Sequence, residues 1–376
     1  MISRKKPSQA RWVKALFLGL ALLVGAGTLC EARAAGNKKK RKAKQRHKSG
    51  ISADADIRFV YDDNVHEYSP RDIATFNGLN SASTAKNLAK FGQIGSIDDA
   101  IWRYKAGLFA RSEIFGAGFG TRLGAEGGYA RYSRNSIMSH PSGRFTLRQD
   151  LSKGHRLELS LDYEPGKFLK NYFGEISTAT RFAGLHDTRA WEARWTGRFQ
   201  GVPGLELGAR LGYETDRYRE PELKYRNSVA RRYGANIGYR WAKSLKTTVD
   251  YQYETLSAAR QPVSDISYFE KKISVKAEIK PLRKLEVELG YAAHFKRYTS
   301  QLGAADVFHS GRKDFRYDAT VKAVYRVISA VDLWVEYRRT EERSNLRVPV
   351  TTTFAPDDFL RYRRSIVSVG VKARWN

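Results

Sequence analysis

The chain has 376 residues, 41% hydrophobic, 12% aromatic and 28% charged, with a formal charge of +28 and one cysteine. A single cysteine excludes a disulfide-stapled fold and a cysteine-built metal site. The basic excess raises nucleic acid as a partner, but no nucleic-acid-binding motif accompanies it and the chain opens with an export signal, so that partner is set aside.

The first stretch reads "MISRKKPSQARWVKALFLGLALLVGAGTLCEARAAG". Arg4, Lys5, Lys6, Arg11 and Lys14 precede an apolar run from Ala15 to Gly27, and Ala32-Arg33-Ala34 supplies small residues for cleavage. This pattern predicts a secretory signal peptide over residues 1–34, removed on export together with Cys30. The apolar run is shorter than the roughly 20 residues a spanning helix needs. Residues 35–50, "AGNKKKRKAKQRHKSG", are a block of like charge and are expected to form a disordered basic tail in the periplasm. These two segments carry +5 and +8 of the formal +28, so +15 belongs to residue 51 onward.

From residue 51 the pattern changes to period-two alternation. In "HRLELSLDYE" Leu157, Leu159, Leu161 and Tyr163 oppose Arg156, Glu158, Ser160 and Asp162. In "KLEVELGYAAHF" Leu285, Val287, Leu289, Tyr291, Ala293 and Phe295 oppose Glu286, Glu288 and His294. Strands are predicted near 51–61, 101–114, 119–131, 144–151, 155–164, 188–200, 204–216, 227–241, 245–256, 267–280, 284–296, 313–328, 331–339 and 361–376. Short connections such as "SKG" (152–154), "AKS" (242–244) and "SA" (329–330) alternate with long ones such as 62–100, 165–187 and 340–360.

The expected fold is therefore all-β: a transmembrane antiparallel up-and-down β-barrel of about 14 strands over 51–376, with short periplasmic turns and long extracellular loops. A closed barrel also satisfies every backbone group in lipid, which an open sheet edge cannot. Aromatic residues fit two interfacial girdles. Phe115, Phe119, Phe199, Trp241 and Trp375 lie toward the short-turn end, and Tyr129, Tyr163, Tyr213, Tyr233, Tyr253 and Tyr337 toward the long-loop end.

The charged parity is assigned to the lumen, with about two dozen Lys/Arg and about nineteen Asp/Glu. Its expected lining includes Arg103, Arg122, Arg148, Arg194, Arg210, Arg232, Arg240, Lys276, Lys322 and Arg326. The acids are Glu126, Glu158, Glu192, Glu206, Asp250, Glu278, Glu288, Asp318 and Glu336. The apolar parity turns basic only at the long-loop ends: Arg131, Arg189, Arg217, Arg231, Lys271, Arg297, Lys313, Arg339, Arg361 and Arg363. Arginine binds phosphate in bidentate fashion, and charge on the lipid face costs least at the interface, so these residues suggest a collar for lipopolysaccharide phosphates.

Catalytic and metal chemistry leave little trace. His66, His140, His155, His186, His294 and His309 sit in no recognisable catalytic motif, and His294 reads as a polar lumen residue whose own strand offers no near partner. "YDDNVHEYSP" groups Asp62, Asp63, His66 and Glu67, whose oxygens could hold a hard cation, but the spacing matches no metal loop and a solvated turn is expected. No catalytic residue, metal or cofactor is assigned.

The stretch "IRFVYDDNVHEYS" resembles the opening strand of the putative β-barrel porin family of the second, exopolysaccharide-associated type. His66 after Val65 departs from the aromatic that family often carries there. The resemblance implies an outer-membrane barrel that serves, or is produced with, polysaccharide export, with export components as partners. The final strand, "SIVSVGVKARWN", carries Val371, Ala373 and Trp375 on one face. It resembles the C-terminal signal read by the barrel assembly machinery, although Asn376 follows the aromatic. The functional expectation is a passive porin-like channel for small polar or anionic solutes in the cell outer membrane. The alternatives are a non-conducting barrel for envelope assembly or export and, third, an outer-membrane enzyme.

Overall fold

The computed structural model describes residues 50–78, 94–112, 120–173, 181–199, 201–258, 265–306, 309–345 and 361–375. The expected signal peptide and the basic tail up to residue 49, with Phe115, Phe119 and Asn376, lie outside the described residues.

Fourteen antiparallel strands close into one barrel, each paired with its sequence neighbours and β1 with β14. They are β1 (Gly50–Asp62), β2 (Asp99–Ser112), β3 (Thr121–Tyr132), β4 (His140–Ser152), β5 (His155–Phe173), β6 (Arg181–Arg198) and β7 (Leu205–Tyr218). The second half comprises β8 (Ser228–Ala242), β9 (Leu245–Ala258), β10 (Tyr268–Leu282), β11 (Leu285–Tyr298), β12 (Lys313–Ile328), β13 (Val331–Ser344) and β14 (Arg361–Trp375). One short helix, α1 (Pro70–Asn77), follows β1 and is capped by Ser69, whose hydroxyl accepts from Asp72 N. No helix among the described residues is long and apolar enough to cross a membrane.

Alternation decides the faces. Leu108, Leu161, Leu211, Ile237, Val275, Leu289, Val321 and Val335 all point outward and are exposed. An exposed apolar band around a closed barrel needs an apolar solvent, and lipid supplies it. The seam closes in the register Ala53 to Trp375, Ile57 to Val371 and Tyr61 to Val367, so the strand ends that would aggregate as free edges are paired.

Several strands run further than the alternation alone predicts. β5 and β6 pair as strands of 19 and 18 residues rather than ending near 164 and starting near 188. Pro165-Gly166 reads as a turn, yet the chain absorbs it as a bulge between Glu164 and Lys167, with Gly166 at φ 65° and its N–H given to Asp187 Oδ1 at 2.8 Å. β4 begins at His140 rather than Arg144. Pro141 is tolerated there because β4 pairs with β5 only from Gly143, so the missing N–H breaks no ladder on that side.

Candidate functional site

The register places every residue assigned to the lumen on the inward face, from Arg103 of β2 to Glu336 of β13. Most are ion-paired, some within one strand and others across one or two strand spacings. Arg232 bridges Glu214 (2.9 Å) and Glu254 (2.5 Å), Lys276 reaches Glu278 (2.8 Å) and Glu288 (3.3 Å), and Glu206 takes both Arg198 and Lys246 at 3.0 Å. Arg210 pairs with Asp250, Arg194 with Glu192, Arg338 with Glu336 and Arg326 with Asp332. Arg148 lies only 3.9 Å from Asp150. Arg122 instead covers the Phe109 ring at 4.1 Å, and Lys322 faces Trp334 at 5.4 Å.

Some of these pairs are wet, while Arg210–Asp250 and Lys246–Glu206 are only about one-fifth exposed. The inward side chains of Arg144, Arg194 and Arg338 stay 50%, 48% and 47% exposed while paired, so they stand in solvent within the barrel wall. Pairs in that condition are each worth little to stability, and their consequence is a hydrated, polar interior.

The charge balance differs from the expected basic excess. Longer strands at the long-loop end bring three acids, Asp62, Asp99 and Glu342, against one base, Lys167, to the inward face. Acids and bases are then nearly equal along the interior. The basic surplus of the barrel sits on its outside and in its loops.

The mouth at the long-loop end departs further from expectation. "YDDNVHEYSP" is not a solvated turn, because Asp62, Asn64, His66 and Tyr68 are all buried. Asn64 Nδ2 donates to the carbonyls of Tyr68 (2.7 Å) and Arg363 (3.0 Å), and Val65 N–H donates to Ile97 O (3.0 Å). Arg364 holds both Asp62 and Glu67. Val65 then packs with inward Val60, Ile101 and Tyr132, with Met138 from the loop after β3 and with Phe168 of β5. Burial against the Tyr68 ring pushes the His66 imidazole down to about 4. No group of three or more metal-ligating side chains is assembled among the described residues.

His294 finds its partners on neighbouring strands: Nδ1 lies 2.7 Å from Glu270 and Nε2 lies 3.1 Å from Asp318. Single-strand spacing could not show this, since both acids enter only through the register of β10 and β12. No serine or other nucleophile completes a catalytic set in the bonds His294 makes.

On the outside, all ten expected collar residues lie at outward positions near the long-loop ends. Arg297 and Lys313 stand directly opposite one another. Arg189 lies over the Tyr163 ring at 5.5 Å, and Trp191 stacks beside Tyr213 with centroids 6.0 Å apart. At the other rim Val371, Ala373 and Trp375 face outward on β14, opposite Ile57, Ala55 and Ala53.

No family model matches the chain, and no curated protein does either. Among solved structures it is similar to the outer membrane channel DcaP of Acinetobacter baumannii, at 12% identity and TM-score 0.47, covering 90% of this chain and 100% of that one. It is similar to an anion-selective porin from Comamonas acidovorans, at 9% identity and TM-score 0.44, covering 87% and 99%. A bacterial polysaccharide outer membrane secretin is similar at 11% identity and TM-score 0.44, covering 86% and 98%. At these values the likenesses say nothing of solute or partner.

Proposed function

We propose that the chain is an outer-membrane barrel that works as a passive, porin-like channel for small polar solutes. The observation that carries this reading is the charged, ion-paired inner wall, part of which stays open to solvent. A solute entering such a wall exchanges part of its hydration for fixed donors and acceptors on every side, and no step of binding need be tight. The near balance of inward acids and bases argues for weak charge preference and removes the ground for selecting anions. The outer-membrane assignment is supported by the exposed apolar band, the unequal ends and the leading signal-like segment.

Osmotic swelling of liposomes carrying the full-length protein tests the reading. Neutral mono- and disaccharides are expected to enter at rates that fall with size, and small anions and cations of equal size at similar rates. Liposomes that swell no faster than protein-free controls would contradict it.

A further inference from the structure

The outward cations at the long-loop rim are unevenly served by the protein itself. On β13 and β14 they lean on neighbours: Arg339 donates to Ser365 Oγ at 2.6 Å, and Arg343 and Arg363 reach Glu341 at 2.7 and 3.8 Å. On β6, β7 and β8, Arg189, Arg217 and Arg231 are exposed and make no ion pair among the described residues.

The register gathers those three. Arg189 lies opposite Thr215 and Arg231 opposite Tyr213, while Arg217 is the next outward residue of β7. Three guanidinium groups thus flank one short stretch of β7, with Arg189 and Arg231 two strand spacings apart across it and two residues apart along it, about 12 Å between their backbones. Like charges at that spacing repel, and the one carboxylate beside them, Asp187 opposite Arg217, is already held by Arg219 at 2.7 Å and does not fully relieve them. A shared anion would.

One row nearer the middle of the membrane, the same face forms a groove of about 510 Å³. Leu161, Tyr163, Trp191 and Tyr213 line it, with Arg189 at its upper edge. Apolar walls with Arg189 and Arg217 above and Arg231 beside them describe a ligand with an apolar body and an anionic head.

We infer that this sector binds one phosphorylated, acyl-bearing glycolipid of the leaflet at the long-loop end. Its phosphate sits among Arg189, Arg217 and Arg231, and an acyl chain lies along Trp191 and Tyr213. A zwitterionic phospholipid would fill the groove, but its own ammonium offsets its phosphate and leaves the cluster net positive. Free phosphate would meet the arginines and leave the groove to ordinary lipid. The inference rests on the membrane reading of the barrel but not on the pore reading.

The test uses the full-length protein in nanodiscs of zwitterionic phosphatidylcholine, with diphosphoryl lipid A as the probe and retained lipid measured by mass spectrometry. Wild type is expected to retain the lipid. Arg189→Ser/Arg217→Ser/Arg231→Ser should weaken retention about tenfold or more, because charge-assisted contacts to phosphate are lost. Trp191→Ala should weaken it less. A matched triple, Arg131→Ser/Arg339→Ser/Arg361→Ser, removes the same charge elsewhere on the rim and should retain the lipid. Dephosphorylated lipid A should bind the wild type as weakly as the full probe binds the groove triple, and inorganic phosphate should not displace the full probe. Equal retention by wild type and groove triple, equal loss in both triples, or displacement by inorganic phosphate would each overturn the inference. A heat-shifted folded band on electrophoresis confirms that each variant forms its barrel. Single-channel conductance, which reads the lumen, is expected to be unchanged in the groove triple, so failure of one reading is told apart from failure of the other.

Discussion

Arg58 of β1 and Trp334 of β13 touch across an intervening strand, the guanidinium lying 4.4 Å from the indole centroid. The residue between them on β14 is Gly370, opposite both in register. Its missing side chain is what lets the indole lie over the strand: a Cβ there would come within 2.5 Å of the ring. Gly370→Val should therefore displace Trp334 and cost about 1–3 kcal/mol through overpacking. Gly290→Ala is the matched control, since a Cβ there meets only Thr320 Cβ, at 3.7 Å. Urea midpoints of the two variants in detergent check this, with only the first expected to fall.

The seam depends on an ion pair of a different kind from those in the lumen. Arg364 Nε on β14 donates to both carboxylate oxygens of Asp62 on β1 at 3.0 Å, and Asp62 is 1% exposed. Arg364→Met leaves that carboxylate buried without its cation and should cost about 3 kcal/mol. Lys372–Asp54, lower on the same seam at 3.1 Å, is more open to water, and Lys372→Met should cost well under about 1 kcal/mol. Thermal loss of the folded electrophoretic band in the two variants gives the comparison, and equal losses would contradict it.

Acid should loosen the mouth before it loosens the wall. The His66 imidazole titrates near 4 in the folded chain, below the 6.5 of a free histidine. Between those values the unfolded segment binds the proton and the folded one does not, so stability is fully present above pH 6.5 and is lost as the pH falls from 6.5 toward 4. The loss at pH 4 is about 3 kcal/mol at most. Hydrogen exchange across residues 63–69 should accelerate over that window in wild type. His66→Phe, which fills the same space beside Tyr68 without titrating, should flatten the dependence.

The anchor of the next loop gives a fourth expectation. Asp99 is fully buried and accepts from the backbone N–H of Ser133 (2.9 Å), Arg134 (3.0 Å) and Asn135 (2.8 Å). Asp99→Ala leaves these donors unmet and should cost about 2–3 kcal/mol, with faster hydrogen exchange at residues 133–139. Asp98→Ala, whose carboxylate bonds mainly to the exposed side chains of Tyr61 and Arg134, should cost less.

Much of this was legible in the alternation, for a physical reason. Lipid on one side and water on the other force strict period two, so Leu157 through Tyr163 and Val367 through Trp375 reveal their faces without any neighbour. The pairing of β14 with Ala53 to Tyr61 meets the need to close the edge. What stayed hidden depends on partners distant in sequence. Asp62, Asn64 and His66 look solvated by type, and only Ile97, Arg363 and Arg364 make them interior. The acids beside His294 lie on β10 and β12, and only the register brings them in. The extension of β5 and β6 was masked by Pro165-Gly166, whose turn chemistry is absorbed as a bulge.

The central claim is that the charged, hydrated inner wall conducts. Single-channel recording of the full-length protein in planar lipid bilayers tests it most directly. The account predicts stable conductance steps that grow with salt concentration, with a chloride-to-potassium permeability ratio near unity because the inward charges nearly balance. A folded, inserted protein that yields no steps above the bare bilayer, or steps carried almost wholly by one ion, would contradict it.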